Sequence, residues 1–216
     1  MNSISKLIEY FREFPGIGPR QARRFVYYLL TKNSSYLDEM SKLLLEIKNS
    51  IRICKSCFRF YQDGDSQICH ICGDKNRDTS QLMIVSRDVD FEAIEKARFY
   101  NGYYFILGGN IPILEKEPEK KVRLNELFEK LKSYLVESDN KNNGKIKEII
   151  LSLNANTEGE NTAEFIRDYI KSKFPSTDKS QSFNISILGR GLSTGTELEY
   201  SDTDTIKNAL KNRERV

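Results

Sequence analysis

Four cysteines, one histidine and a short arginine cluster are the residues of this 216-residue sequence whose types and spacing could do chemistry. Cys54-Lys55-Ser56-Cys57 and Cys69-His70-Ile71-Cys72 make a C-x2-C-x11-C-x2-C pattern. Two such knuckles supply four soft thiolates to a tetrahedral site, a donor set that suits zinc. With every position filled by sulfur, no place is left for a substrate. The expected ion, Zn2+ at one per chain, is therefore structural and contributes on the order of 10 kcal/mol to a segment with little core. Two disulfides or an iron–sulfur cluster are the competing readings, and an intracellular chain without a spare cysteine favours the metal.

His70 is the sole imidazole, and it lies inside a knuckle as an expected loop residue rather than a ligand. Ser-His-Asp and Cys-His systems need an imidazole free to move protons, so hydrolase triads are excluded.

The second cluster follows a turn. Phe14-Pro15-Gly16-Ile17-Gly18-Pro19 leads into Arg20-Gln21-Ala22-Arg23-Arg24 and looks like a helix-hairpin-helix. Gly16 and Gly18 let the backbone approach a phosphate, and the N–H groups opening the next helix point at it. Arg20, Arg23 and Arg24 can bind neighbouring phosphates, while Ile17 reads as an apolar plug between the helices. A plain αα-hairpin turn is the alternative. Contacts of this kind read backbone and not bases, so DNA binding is expected to be independent of sequence and sensitive to salt.

Acidic candidates sit further along. Asp88, Asp90, Glu158 and Glu160 flank the expected carboxyl ends of strands, where an open parallel sheet places its ligands. They are candidates for a weak divalent-ion or partner site, against the simpler reading as loop acids and helix N-terminal charge. The strand ends themselves carry Val85-Ser86 and Leu153-Asn154-Ala155-Asn156, and serine and amides cannot neutralise a magnesium ion. Gly189-Arg190-Gly191-Leu192-Ser193-Thr194-Gly195 lacks the Lys-Ser/Thr ending of a P-loop and reads as a turn.

The elements that must position these groups are legible in the apolar spacing. Ile4 to Phe11, Ala22 to Leu30 and Leu37 to Ile51 have helical periodicity. From Leu82 the chain alternates strands with helices. The strands are Leu82–Val85, Tyr103–Ile106, Glu148–Leu153 and Ile185–Leu188; the helices are Phe91–Phe99, Val122–Leu135, Glu160–Lys173 and Asp204–Arg213. That alternation predicts a mostly parallel sheet covered on both faces. Ser138 to Lys145 and Pro175 to Ser182 read as surface loops.

Charge separates the two ends. Residues 1–60 hold 11 Lys and Arg against 5 Asp and Glu, whereas residues 61–216 hold 23 against 26. An anionic partner is therefore expected at the N-terminal end. The longest apolar run, Phe25 to Leu30, is six residues, far short of the roughly 20 that span a bilayer. Met1 to Phe14 lacks the apolar core of a signal peptide, so a soluble, cytoplasmic protein without membrane contact is expected.

Taken in order, these runs resemble the RecR family of bacterial recombination mediators along essentially the whole chain. The runs are Pro15-Gly-Ile-Gly-Pro19, the four cysteines, Arg87 to Glu95, Gly102 to Gly109, Thr157 to Ala163, and Arg190 to Asp202. The resemblance implies a multidomain α+β chain. Its expected parts are a helix-hairpin-helix domain at 1–53, a four-cysteine zinc finger at 54–78, a Toprim domain at 79–176 and a C-terminal strand-helix segment at 177–216. It also implies a non-enzymatic, ring-like tetrameric clamp on single- and double-stranded DNA. Such a clamp acts with RecO and RecF to help load RecA recombinase at single-stranded gaps. By position, Arg20 and Arg24 match the family's DNA-contacting residues and Arg23 is an extra cation.

Two alternatives remain beside this reading. One is a Mg2+-dependent Toprim nuclease or nucleotidyl-transfer enzyme using Asp88, Asp90 and Glu158; the other is an assembly scaffold. The chain departs from the family at Ser86, where a glutamate usually ends the first Toprim strand, and over residues 110–118, which lack the usual Ser-Pro-Leu stretch. The interval between the cysteine pairs is long, and Ser138 to Lys145 looks inserted.

Overall fold

Asparagine side chains start the first and third helices. In the computed structural model, which describes residues 2–62, 66–135, 146–174, 183–189, 191–192, 195 and 197–213, Asn2 accepts from the Ser5 N–H and Asn33 from the Tyr36 N–H, both at 2.9 Å. These caps replace hydrogen bonds that the first turn of a helix cannot make internally. They open α1 (Ser3–Arg12) and α3 (Ser34–Ser50), with α2 (Pro19–Leu30) between them. Pro19 takes the first position of α2, where its missing N–H costs nothing.

The chain forms two units, Met1–Arg52 and Ile53–Val216. In the first, α1 packs on α2 through Phe11, whose ring lies 5.8 Å from both Phe14 and Phe25. Among the described residues of this unit only Ala22 and Val26 are fully buried. The apolar stripe read from the sequence on α3 is real but open, with Leu44 and Ile47 more than half exposed.

After α3 come a ribbon of β1 (Arg52–Ile53) and β2 (Phe60–Tyr61) and a helical turn α4 (His70–Gly73). A four-stranded sheet follows, in the order β4-β3-β5-β6, with every neighbouring pair parallel. Its strands are β3 (Asp78–Val85), β4 (Gly102–Ile106), β5 (Glu148–Ser152) and β6 (Asn184–Ile187). They alternate with α5 (Asp88–Ala97), α6 (Leu124–Leu135) and α7 (Thr157–Lys173), and α8 (Thr203–Lys211) closes the described chain.

Alternation along the strands builds two cores. Leu82, Ile84, Phe105, Ile149 and Leu151 face Leu127 and Leu131 of α6 and Ile166 and Ile170 of α7. Met83, Val85, Tyr104, Ile106 and Ile150 face the other way, toward Phe91 of α5 and the cysteine knuckle. The order reverses at β3, so the crevice between the ends of β3 and β5 is the sheet's switch point.

Element types agree with the sequence expectations and several ends differ. β3 starts four residues earlier, because polar Asp78 still pairs with Gly102 of β4 and Gln81 with Glu148 of β5. α7 starts three residues earlier, at Thr157, capped by Asn156 accepting from the Gly159 N–H at 2.9 Å, so Glu158 joins Glu160 in its first turn. α5 stops at Ala97, leaving Phe99 outside the helix. The stretches Ser138 to Lys145 and Pro175 to Ser182, together with Arg190, Ser193 and Thr194, lie outside the described residues.

Candidate functional site

The cysteine knuckle is built by two tight turns that face one another. Cys54 and Cys57 leave β1, and Cys69 and Cys72 bracket the start of α4. The four sulfurs lie within 4.8 Å of one another, and Cys57 Sγ is 3.6 Å from Cys69 Sγ. Four thiolates held about 2.3 Å from one ion stand about 3.8 Å apart, so this cage fits zinc. The cysteines are free thiols, and 3.6 Å is far beyond a sulfur–sulfur bond of about 2.05 Å, which removes the disulfide alternative.

Backbone N–H groups aim at the sulfurs. Cys54 Sγ accepts from Ser56 N at 3.4 Å and from Cys69 N at 3.3 Å. Hydrogen bonds from Cys57, Cys69 and Cys72 hold the Cys54 thiol far below its usual value, while the same crowding pushes Cys57 far up. Four adjacent sulfurs become thiolates together only when a cation neutralises them. His70 opens α4 with its side chain exposed, outside the sulfur cage.

The knuckle is seated on the sheet. Ile106 N–H at the end of β4 donates to the Cys57 carbonyl at 2.9 Å. The Lys130 ammonium of α6 donates to both the carbonyl and the hydroxyl of Ser56, each at 2.8 Å. Phe58, in the left-handed region at φ 65°, sets its ring 5.4 Å from Phe105 and beneath the Arg123 guanidinium. Lys130 and Arg123 carry no sequence signal: each is one more cation on or beside a surface helix until the fold brings it to the knuckle.

The hairpin has the conformation its glycines require. Gly16 has φ +76°, and open space stands where a side chain would sit on Gly16 or Gly18. Gly18 is the N-cap of α2, its carbonyl accepting from Ala22 N–H at 3.0 Å. Ile17 is half-buried, as a plug should be. Arg20, Arg23 and Arg24 fall on one side of the opening turns of α2 by helical spacing, are exposed, and make no ion pair among the described residues.

The acidic candidates do not assemble. Among the described residues the four cysteines are the only group of three or more His, Cys, Asp or Glu side chains close enough to share an ion. Asp88 Oδ1 accepts from Phe60 N–H at 2.8 Å, tying the ribbon to α5. Asp90 Oδ2 accepts from Arg87 N–H at 3.0 Å and so caps α5. Glu158 and Glu160 stand in the first turn of α7, where negative charge suits the helix dipole.

At the switch point Ser86 is fully buried, and its hydroxyl donates to Asn110 Oδ1 at 2.6 Å. The loop carrying Asn110 is fixed in turn. Ile111 N–H donates to the buried Thr162 hydroxyl at 2.8 Å, and Asn161 Nδ2 donates to the Ile111 carbonyl at 3.1 Å.

Fold and sites together define a chain that joins a helix-hairpin-helix unit to a Toprim sheet carrying a four-cysteine knuckle. Residues 4–48 match the family described as RecR, helix-hairpin-helix, and residues 80–181 match the Toprim domain. The chain is 33% identical over 212 residues to the recombination protein RecR of Dehalococcoides mccartyi strain 195, covering 98% of this chain and 94% of that protein. It is also 33% identical over 210 residues to the recombination protein RecR of Staphylococcus aureus strain Newman, covering 97% and 96%. This chain belongs to the RecR family of recombination proteins. Among its described residues no helix is long and apolar enough to cross a membrane.

Proposed function

We propose that this chain is a non-enzymatic DNA-binding clamp of recombinational repair, held together by one structural zinc ion at Cys54, Cys57, Cys69 and Cys72. The observation that carries the reading is the hairpin: Gly16 and Gly18 open to a phosphate, beside three guanidinium groups, Arg20, Arg23 and Arg24, that make no ion pair among the described residues. Backbone N–H groups and arginines arranged this way hold phosphates of single- or double-stranded DNA without reading bases.

The open apolar stripe of α3, and the burial of only Ala22 and Val26 among the described residues of the N-terminal unit, support assembly with further copies, a tetrameric ring being the family's form. Family membership supports a role with RecO and RecF in helping RecA onto single-stranded gaps. The commitment of Asp88 and Asp90 to backbone N–H groups, and Ser86 where a Toprim strand usually ends in glutamate, support holding DNA without cutting it.

Replacing Arg20 and Arg24 by Ala tests the hairpin. Each lost phosphate contact weakens the salt slope by about 0.9, so the slope falls by about 2 per engaged hairpin and most affinity is lost. Unchanged affinity and slope would overturn the assignment. Incubation with labelled DNA and Mg2+ or Mn2+ tests the rest: no cleavage is expected, and cleavage that disappears in Glu158→Gln would establish the enzyme instead.

A further inference from the structure

A second cationic surface lies within the second unit. An open groove of about 430 Å3 runs between the cysteine knuckle and α5, lined by Arg59, His70, Glu92, Glu95, Lys96 and Arg98. Its charges do not cancel. Glu95 is committed, accepting from the Arg77 guanidinium and from the Tyr104 hydroxyl at 2.8 Å. Arg59 stands 4.5 Å over the Phe91 ring, which fixes its guanidinium without neutralising it. Among the described residues Arg59, Lys96 and Arg98 make no ion pair, so three cations face one uncommitted acid, Glu92.

An exposed aromatic residue follows the last of these cations directly in the chain. Arg98 ends α5 in the left-handed conformation at φ 59°, which turns the chain sharply, and the next residue, Phe99, is 99% exposed. A phenyl ring wholly in water, one residue along the chain from a guanidinium that makes no ion pair among the described residues, offers a flat π-face with a cation close in sequence. That combination matches an unpaired base and its phosphate. A base in a duplex is already stacked on both faces and has no face to offer.

We propose that this groove is a second nucleic-acid contact, selective for single strands: Arg59, Lys96 and Arg98 hold the sugar-phosphate backbone and Phe99 stacks an unpaired base. It rests on the DNA-binding reading above and adds strand selectivity, which the hairpin's backbone contacts cannot supply. An acidic protein surface is the other occupant that such charges would attract.

The test uses the full-length, zinc-loaded chain, fluorescent oligo-dT and a duplex of equal length, titrated by anisotropy across a salt series. The variants are Phe99→Ala and the double variant Lys96→Gln, Arg98→Asn; asparagine tolerates the left-handed conformation. With its ring in water, Phe99 is not part of the chain's packing, so Phe99→Ala keeps the fold. Phe99→Ala should lower affinity for oligo-dT by about fivefold or more and leave the duplex unchanged. The double variant should weaken the single-strand salt slope by about 1.4.

Wild-type affinity and slope in both variants, with Arg20→Ala, Arg24→Ala still losing DNA, would overturn the groove as a DNA contact and leave the hairpin intact. Equal losses on single strand and duplex would also overturn it, because they report general attraction and not stacking. Failure of the wild-type chain to bind either probe would overturn the DNA-binding reading and the groove with it.

Discussion

Lys130 of α6 donates to both oxygens of Ser56, the carbonyl and the hydroxyl, each at 2.8 Å, so a Toprim helix grips the turn between the first two cysteines. Burial pushes the ammonium down while the nearby sulfurs oppose the shift. A tetrathiolate around Zn2+ carries two net negative charges, and an enclosed cation beside it compensates part of that charge. Replacing Lys130 by Met removes the cation and leaves the Ser56 carbonyl without its partner. Stability should fall by about 2 kcal/mol, and zinc should pass to a chelator faster than from the wild type. A variant with unchanged melting temperature and unchanged release rate would assign Lys130 no such role.

Metal removal should undo more than the knuckle. Cys54, Cys57 and Cys69 share one buried cluster with Met83, Val85, Tyr104 and Ile106, so the metal-bound segment is itself the cover on one face of the sheet. Elemental analysis should give one zinc equivalent per chain. Chelation should both lower the melting temperature and expose apolar surface to a hydrophobic dye, with an energetic scale on the order of 10 kcal/mol. A metal-free preparation that melts like the wild type would show that the cage is not structural.

Alkaline pH should destabilise the second unit. Burial pushes the Tyr134 hydroxyl up to about 12 and holds Tyr100 and Tyr104 higher still, Glu95 adding to the shift at Tyr104. A group whose folded pKa is raised contributes stability that is fully present below its unfolded pKa of about 10 and is lost as pH climbs toward the folded value. With three such tyrosines, stability should fall by up to about 4 kcal/mol per pH unit between about pH 10 and 12, and by less where solvent screens the half-buried rings. Denaturant titrations through that window, followed by phenolate absorbance, should show the ionisation accompanying unfolding. Stability that stays flat to about pH 12 would contradict the burial of these hydroxyls.

Gly159 is required by proximity, not by an unusual φ. A Cβ on it would run into the backbone carbonyl of Asn154, which cannot swing away as a side chain could. The close approach lets α7 start beside the end of β5. Gly159→Ala should cost about 2 kcal/mol or more through overpacking. It should also loosen the Thr162 and Asn161 contacts that fix Ile111, visible as faster amide exchange at Ile111. A neutral substitution would mean that the helix start can shift without cost.

What the sequence disclosed and what it hid divide along the range of the interactions involved. The cysteine cage, the hairpin and the helix-strand alternation rest on spacings of a few residues, and those are visible in a linear text. Lys130 and Ser56 are 74 positions apart, and no local pattern links them. Ser86 was legible as a missing carboxylate, but its closure by Asn110 depends on a loop that Thr162 holds from another helix. Asp88 reads as a possible ion ligand because its backbone partner, Phe60 N–H, is 28 positions away and meets it only once the chain is folded. The polar start of β3 leaves no apolar alternation to read, because Asp78 and Gln81 are held extended by pairing with Gly102 and Glu148.

The stripe on α3 makes the last prediction. Leu37, Met40, Leu44 and Ile47 recur at helical spacing, the pattern that ordinarily marks a buried face. Yet Leu44 is 60% exposed and Ile47 55% exposed. A stripe of this size left in water favours association, since each buried leucine or isoleucine contributes about 1.5–3 kcal/mol. A further copy of this chain would cover it if the ring is its working form. Leu44→Glu with Ile47→Glu places two charges where apolar contact is needed, so the mass measured by light scattering should fall toward that of the 25.1 kDa chain. The helices themselves should survive, because those two side chains are mostly in solvent and glutamate is a good helix former. DNA affinity should then drop together with its salt slope, as fewer hairpins engage one molecule. An unchanged mass would show that this face is not where the copies meet.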